Sequence, residues 1–107
     1  MSEFNLYLNN ILMMVYRIEN SSKKSKLNFR DTTFYDATLM RLQVIGETIK
    51  CLPKEKRVRY RDVNWKIFTR FRDIVSHNYF IVNHNALRKI ILTELPKLKK
   101  AIRSMRK

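Results

Sequence analysis

A ten-residue stretch in the second half of the chain, Phe71 to Phe80, gathers the side chains best suited to chemistry on a phosphate. Arg72 carries a permanent charge on a planar fork that matches phosphate oxygens. His77 is one of two histidines in the chain, and histidine is the side chain that titrates nearest neutrality. Asp73 and Tyr79 add a carboxylate and a phenol. This combination favours proton transfer by His77 beside a phosphate held by Arg72.

Helical geometry decides which of these four groups can meet. Arg72 and Tyr79 are seven residues apart and lie nearly on one line of a helix, whereas Asp73 and His77 are four apart and stack on an adjacent line. Arg72 and His77 differ by about 140° on a regular helix, and they converge better if the helix unwinds after Ser76. Asp73 can then orient or charge the imidazole. In the alternative interpretation, Arg72 and Asp73 form surface ion pairs, His77 interacts with the helix dipole, and Tyr79 belongs to the core.

Two long helical patterns precede this stretch. Apolar residues recur at spacings of three and four over residues 3–22, and a basic, serine-rich turn is expected at residues 21–26. The second helix is expected to run from Asn28 or Asp31 to about Leu52. Its apolar residues form two neighbouring stripes, so we expect it to contact more than one other helix.

The third and fourth helical patterns flank the reactive stretch. Asn64 is expected to cap the third helix, which ends near His77 and Asn78 because asparagine tolerates the left-handed conformation that closes helices. Asn83 is expected to cap the fourth, in which Pro96 predicts a kink or a break. With one glycine and two prolines, the chain has few of the turn signals that a sheet needs. The sequence therefore predicts one all-α domain over residues 1–107, an up-and-down bundle of four to five helices.

The charge of the chain indicates a polyanionic partner. Its 23 Lys and Arg against 9 Asp and Glu give a net charge of +14, which favours a nucleic acid. One basic segment is residues 97–107, with six positive charges and no acid. The other is the connector before the third helix, and we expect its basic side chains to bind RNA; they are Lys54, Lys56, Arg57, Arg59 and Arg61. The alternative is a solvated, lysine-rich surface.

Other kinds of site are not favoured. The lone Cys51 cannot form an internal disulfide, and we expect it to be packed in a reduced, cytoplasmic protein. One cysteine and two histidines do not assemble a zinc site, and we expect no metal and no cofactor. No stretch of about 18 apolar residues is present, so no membrane span is expected. His84 is expected to be a surface residue at a helix start.

The reactive stretch also carries a family resemblance. Arg72-x-x-x-x-His77-Asn78-Tyr79 resembles the R-x(4)-H-x-Y motif of HepT-type toxins in the HEPN superfamily. Those toxins are four- or five-helix bundles that pair with a minimal nucleotidyltransferase antitoxin called MntA. The similarity extends over nearly the whole chain, although Asp73 stands where many members have asparagine. Further similar segments are Ile45-Gly46-Glu47, Leu52-Pro53, Trp65, Tyr79-Phe80 and Leu95-Pro96-Lys97-Leu98.

The resemblance implies a metal-independent ribonuclease that acts as a homodimer or a higher homo-oligomer, with the motif of each protomer lining a shared cleft. It implies that Arg72 and His77 are catalytic and that the antitoxin silences the toxin by transferring AMP to Tyr79. Chemistry gives a separate reason for association, because one imidazole cannot easily be base and acid at once, whereas two copies of His77 can. The alternatives are a non-catalytic nucleotide- or RNA-binding partner of a nucleotidyltransferase, and a plain RNA- or DNA-binding bundle that uses the two basic segments.

Overall fold

A computed structural model describes residues 2–106, and this part of the chain is helical without a strand. A 3₁₀ segment, Tyr79–Ile81, follows the fifth helix, and a π-helical segment, Ile90–Glu94, joins the sixth helix to the seventh. The predicted all-α helical bundle is confirmed. The helices are α1 (Glu3–Ser25), α2 (Thr32–Ile49), α3 (Lys54–Arg57), α4 (Trp65–Thr69), α5 (Phe71–Asn78), α6 (His84–Lys89) and α7 (Leu95–Met105).

Short polar side chains start the main helices. The side-chain oxygens of Ser2, Asp31, Asn64 and Asn83 each accept a hydrogen bond from the backbone N–H three residues later. Such a bond satisfies one of the N–H groups that a helix start leaves without a helical partner. The caps predicted at Asn64 and Asn83 are confirmed, and Asp31 rather than Asn28 starts α2.

The serine-rich segment after the first apolar pattern is helical, so the turn predicted at residues 21–26 was placed too early. The hydroxyl of Ser25 donates to the carbonyl oxygen of Ser21 at 2.8 Å. A serine hydroxyl that bonds to the carbonyl four residues back destabilises a helix only slightly, so the helix can continue through it. α1 ends instead at Lys26, which has a φ of 54° and returns its N–H to the carbonyl of Ser22.

α1 lies between α2 and α7. Arg41 of α2 donates to the hydroxyl of Ser21 at 3.0 Å, whereas Lys99 of α7 lies 3.1 Å from the carboxylate of Glu19. Ser21 and Glu19 are two positions apart, which is about 160° around a helix. α1 therefore contacts α2 along one flank of its buried face and α7 along the other, and α2 packs on its other neighbours α4 and α5.

Of the two apolar stripes predicted on α2, one is buried, and the other is buried at Phe34 but faces outward from Val44 onward. Ile45 and Ile49 are fully buried. Val44, on the other stripe, is 36% exposed, and Cys51 is exposed in the turn that follows Ile49. The prediction of a packed thiol was wrong because α2 ends before it reaches Cys51. The prediction that this helix contacts several neighbours is confirmed.

The third and fourth helical patterns are each interrupted. The third divides at Arg70, with φ −89° and ψ −4°, into α4 and α5. In the fourth, the N–H of Leu95 bonds to the carbonyl of Ile90, five residues back, directly before Pro96. Proline lacks an N–H and its ring clashes with the preceding turn, and the wider π turn accommodates both. The interruption predicted at Pro96 is therefore present as a π segment.

Candidate active site along the second and fifth helices

Arg72, the predicted phosphate ligand, lies in the first turn of α5 and reaches across to α2. Its Nη1 is 3.5 Å from Oε1 of Glu47, and its side chain is 66% exposed. The ammonium of Lys50 lies 2.8 Å from Oε2 of the same carboxylate. The hydrogen bond from Lys50 is the largest cause of a lowered pKa of Glu47; desolvation opposes it, and the charges of Lys50 and Arg72 lower the pKa further. The guanidinium is thus oriented by a carboxylate and keeps donors open to solvent.

His77, the predicted proton-transfer group, is exposed in the last turn of α5. Its Nδ1 lies 2.9 Å from the backbone carbonyl oxygen of Asp73. A carbonyl oxygen only accepts, so Nδ1 donates in this contact, and in the neutral imidazole Nε2 is then the nitrogen with the lone pair. The imidazole is oriented by the main chain of Asp73 rather than by its carboxylate. The supporting role of the Asp73 side chain stays a prediction.

Tyr79 follows the end of α5, in the 3₁₀ segment. α5 ends at Asn78 as predicted, but Asn78 has a φ of −138° and is not left-handed. The hydroxyl of Tyr79 donates to Oδ1 of Asp36 on α2. This hydrogen bond, together with desolvation and the charge of Asp36, raises the pKa of Tyr79. The bond therefore contributes to stability below the ordinary tyrosine pKa of about 10, and the contribution is lost as the pH rises through the raised value.

A second tyrosine holds the backbone of this segment. The hydroxyl of Tyr35, which is 8% exposed, donates to the carbonyl of Tyr79 and accepts from the N–H of Val82 at 3.3 Å. Its ring meets the Tyr79 ring edge to face at 6.0 Å between centroids. The position of Tyr79 is thus set by contacts with α2 and not by α5. His84, exposed as predicted, lines a cavity of about 350 Å³ beside Tyr79.

The contacts of Arg72 and Tyr79 place both residues along one edge of α2. Their partners, Glu47 and Asp36, are eleven positions apart, which brings them to the same side of a helix about 16 Å apart along its axis. Arg72 and Tyr79 therefore occupy two levels of this edge, and His77 lies between them in the chain. Arg72 and Tyr79 thus contact α2 at separate points rather than at one point.

The five basic residues of the connector do not form one patch. Lys54 and Lys56 lie exposed on α3, and the ammonium of Lys56 lies 5.9 Å from the centre of the Phe4 ring. Arg57 is partly buried, and within residues 2–106 its Nε has no hydrogen-bond partner. Arg59 and Arg61 line a cavity against α7. The RNA-binding role proposed for all five stays a prediction, and the structure separates them into two surfaces.

The sequence pattern did not predict the contacts that three residues of α2 make with the motif. Glu47 was noted only within the similar segment Ile45-Gly46-Glu47, and Tyr35 and Asp36 carried no signal. All three lie on α2 and reach residues more than 20 positions away in the chain. Their spacing along α2 becomes informative only once α5 is known to pack against that helix.

Two further properties follow from the described residues. Within residues 2–106, no three histidine, cysteine, aspartate or glutamate side chains are grouped so that they could hold a metal ion. None of the helices in the same range is long and apolar enough to cross a membrane.

Comparison with known proteins identifies the family. The sequence profile of the family described as "Ribonuclease HepT-like" matches residues 9–105. The chain belongs to the HepT-like ribonuclease family. The match runs from within α1 to the end of α7 and includes the stretch that carries Arg72, His77 and Tyr79.

Relatives of this HepT-like chain occur in archaea and bacteria. A Methanocaldococcus jannaschii protein named "Gamma-glutamylcyclotransferase and putative RNase" is 38% identical over 91% of this chain and 45% of its own length. A Caldanaerobacter subterraneus protein named "Putative RNase" is 37% identical over 71% of this chain and 68% of its own. A Thermococcus cleftensis protein named "Probable ribonuclease HepT" is 31% identical over 66% of this chain and 64% of its own. The chain thus spans about half to two thirds of these relatives, and no solved structure matches it significantly.

Proposed function

We propose that this HepT-like protein is an RNA endonuclease, the toxin component of a toxin–antitoxin pair, and that it acts in the cytoplasm. The observation that carries the proposal is that both reactive side chains of the motif are exposed and are oriented by a neighbouring group. Arg72 is held by Glu47 with donors left open, and His77 is held through Nδ1 so that Nε2 is available. Both groups are therefore oriented before a substrate arrives, which is the condition for effective proton transfer and charge stabilisation.

The proposed reaction uses the 2′-hydroxyl of the RNA as nucleophile, so the attacking group comes from the substrate. Its oxygen forms a bond to the adjacent phosphorus, and its proton passes to Nε2 of a neutral His77. The bond from phosphorus to the 5′-oxygen breaks, and a protonated imidazole gives that oxygen its proton. Arg72 stabilises the extra negative charge on the phosphorus oxygens in between. The products are a 2′,3′-cyclic phosphate and a 5′-hydroxyl.

Two imidazoles are needed in one turnover, and we infer that a second copy of the chain supplies the other. The outward stripe of α2 supports this arrangement. Met40 is 61% and Val44 36% exposed on α2, and Leu6 and Met13 of α1 are exposed to similar degrees. A groove between these helices of about 420 Å³ has Arg72 in its wall. Apolar surface beside the motif is suited to association, which brings the two motifs to one cleft.

RNA cleavage by the purified protein is expected to persist in excess EDTA, because the nucleophile and both proton carriers need no metal. The products should end in 2′,3′-cyclic phosphate and 5′-hydroxyl, as read by mass spectrometry of a cleaved oligonucleotide. The matched substrate is the same oligonucleotide with deoxyribose throughout, which should remain intact. Loss of cleavage on chelation, or cutting of the deoxy substrate, would contradict the mechanism.

We also propose that Tyr79 is the residue through which a nucleotidyltransferase antitoxin of the MntA type silences the enzyme. Oη of Tyr79 would attack the α-phosphorus of ATP, forming the tyrosyl–AMP bond as the bond to the departing pyrophosphate breaks. The carboxylate of Asp36, which already accepts the hydroxyl hydrogen, is placed to take the proton. The attached AMP adds bulk and negative charge to the motif, where it competes with substrate phosphate for Arg72.

Incubation with such a nucleotidyltransferase and ATP is expected to add the mass of AMP to the peptide that contains Tyr79 and to abolish RNA cleavage. Asp36→Ala should slow the modification, since it removes the acceptor of the hydroxyl hydrogen, and Tyr79→Phe should prevent it. Tyr16→Phe removes an exposed tyrosine hydroxyl on α1 and is the matched control, which should still be modified. Modification of another tyrosine, with Tyr79 unchanged, would overturn the assignment.

A further inference from the structure

The basic connector and α7 form the two walls of one groove, although they are far apart in the chain. The groove encloses about 440 Å³. Arg59 and Arg61 lie on the connector wall, and Lys97 and Lys100 lie on the α7 wall. Asp62 is the one acidic residue among those that line it, so four positive charges face a single negative one. The two most basic segments of the sequence are thus brought together by the fold.

The connector wall is held in place, so the groove has a defined shape. The hydroxyl of Tyr60 donates to Oγ of Ser104 on α7 at 3.3 Å, which ties the two walls together. Val63 is buried at the inner end of the connector. Before the groove, the indole N–H of Trp65 donates to the carbonyl of Arg57 at 3.1 Å, anchoring the connector to α4. The segment between these contacts carries Arg59 and Arg61.

The four groove cations have no acidic partner within the described part of the chain. The ion pairs formed there involve Lys50, Arg72 and Lys99 instead. All four groove cations are exposed. Four positive charges that a single carboxylate offsets only in part repel one another, and an anionic ligand relieves that repulsion.

The π segment sets which side of α7 faces the connector. A π turn contains one residue more than an α turn, so it rotates everything after it by about 100° relative to a continuous α-helix. Lys97 and Lys100 follow the π segment directly. Pro96, which lies in the groove wall, also accounts for the π turn. The orientation of the lysine wall is therefore built into the fold.

The groove is distinct from the candidate active site. Arg72 and Tyr79 contact α2 and line other cavities, which share no residue with the groove between the connector and α7. A chain of nucleotides that extends from the active site around the bundle can contact both surfaces, because the molecule measures only 38 × 28 × 24 Å.

We propose that this groove binds the sugar–phosphate backbone of single-stranded RNA as a second contact, outside the active site, for the substrate that the enzyme cleaves. The proposal rests on the proposed function for the identity of the ligand. Arginine forks and lysine point charges are the groups that bind phosphodiesters, and four such groups release counterions as they bind. The groove makes no base-specific contact in this proposal, so it raises affinity without selecting a sequence.

The test measures RNA binding by full-length His77→Ala protein, which leaves the probe uncut, using fluorescence anisotropy of a short labelled single-stranded RNA at several salt concentrations. The groove variant combines Arg59→Gln, Arg61→Gln, Lys97→Gln and Lys100→Gln. Its affinity is expected to fall about tenfold or more at moderate salt. The slope of log affinity against log salt concentration should shrink by about 3, since four phosphate contacts are lost.

The control variant removes the same charge from exposed positions outside the groove, Lys23, Lys24, Arg30 and Lys89, each changed to Gln. Its affinity should change far less than that of the groove variant, and its salt slope should stay near that of the parent. Equal losses in the two variants would show that diffuse net charge binds the RNA, and an unchanged groove variant would also overturn the proposal. Thermal melting of both variants checks that they are folded.

A single substitution that is expected to strengthen RNA binding controls for misfolding, which would weaken it. Asp62→Asn removes the one carboxylate in the groove, and it is expected to tighten RNA binding about twofold. Binding that weakens or stays the same would count against the groove.

The outcomes of these experiments also separate this proposal from the proposed function. Wild-type protein that cleaves RNA while the groove variant binds normally refutes the groove alone, whereas absence of cleavage with groove-dependent binding refutes the nuclease alone.

Discussion

Replacing His77 with alanine is expected to lower the rate of RNA cleavage by about 10²- to 10⁴-fold, which is the usual contribution of a positioned proton-transfer group. The melting temperature should barely change, because the side chain is exposed and its hydrogen bond runs to a carbonyl of its own helix. Arg72→Ala should cause a comparable loss, and Arg72→Lys should recover only part of it, because an ammonium lacks the planar fork. Initial rates on a labelled oligonucleotide and thermal melting of each variant measure the two quantities.

His84→Ala is the matched control, because His84 is the only other histidine in the chain and is also exposed. It should leave cleavage unchanged.

A mixing experiment with His77→Ala protein tests the shared cleft. When wild-type protein is mixed and equilibrated with a large excess of His77→Ala, most wild-type subunits join mixed dimers with one imidazole, and activity per wild-type subunit should fall steeply. Activity that depends only on the amount of wild-type protein would contradict the dimer, and cleavage retained by His77→Ala would contradict the assignment of the base and acid.

Replacing Gly46 with alanine is expected to destabilise the protein by about 3 kcal/mol, at the upper end of the usual cost of overpacking a close contact. A Cβ at this position would lie 2.0 Å from the carbonyl oxygen and 2.8 Å from the carbonyl carbon of Phe68. Those atoms belong to the backbone of α4, so no rotamer change relieves the contact, and α2 and α4 must move apart. Alanine is the better helix former by about 1 kcal/mol, which offsets only part of this cost. The melting temperature should fall by about 10 to 25 °C.

Thr33→Ala is the control, because it introduces alanine at an exposed position of the same helix. It should change the melting temperature little. A Gly46→Ala protein that melts at or above the wild-type temperature would show that the helices separate without cost. The substitution should also reduce RNA cleavage in the folded fraction. Gly46 precedes Glu47, the partner of Arg72, and a displaced α4 carries α5 and its motif away from that carboxylate.

Much of the helical framework follows from short-range signals. A cap such as Asn64 or Asn83 bonds to an N–H three residues away, so the residues that decide it are neighbours in the chain. Periodic apolar spacing likewise predicted the buried stripe of α2 that contains Ile45 and Ile49, because a helix repeats within a few residues. The predictions that were wrong depend on where a helix stops. Cys51 was placed in a helix that ends at Ile49, and the serine-rich turn was placed inside α1.

The sequence by itself determined the all-α class, the helix caps at Asn64 and Asn83, the excess of positive charge and the motif that contains Arg72, His77 and Tyr79. All of these depend on composition or on residues close together in the chain. The tertiary structure alone decided that Glu47 orients Arg72, that Asp36 binds Tyr79, and that the connector and α7 enclose one basic groove. Each of these contacts joins residues 25 or more positions apart, and no local periodicity encodes which faces of two distant helices will pack together.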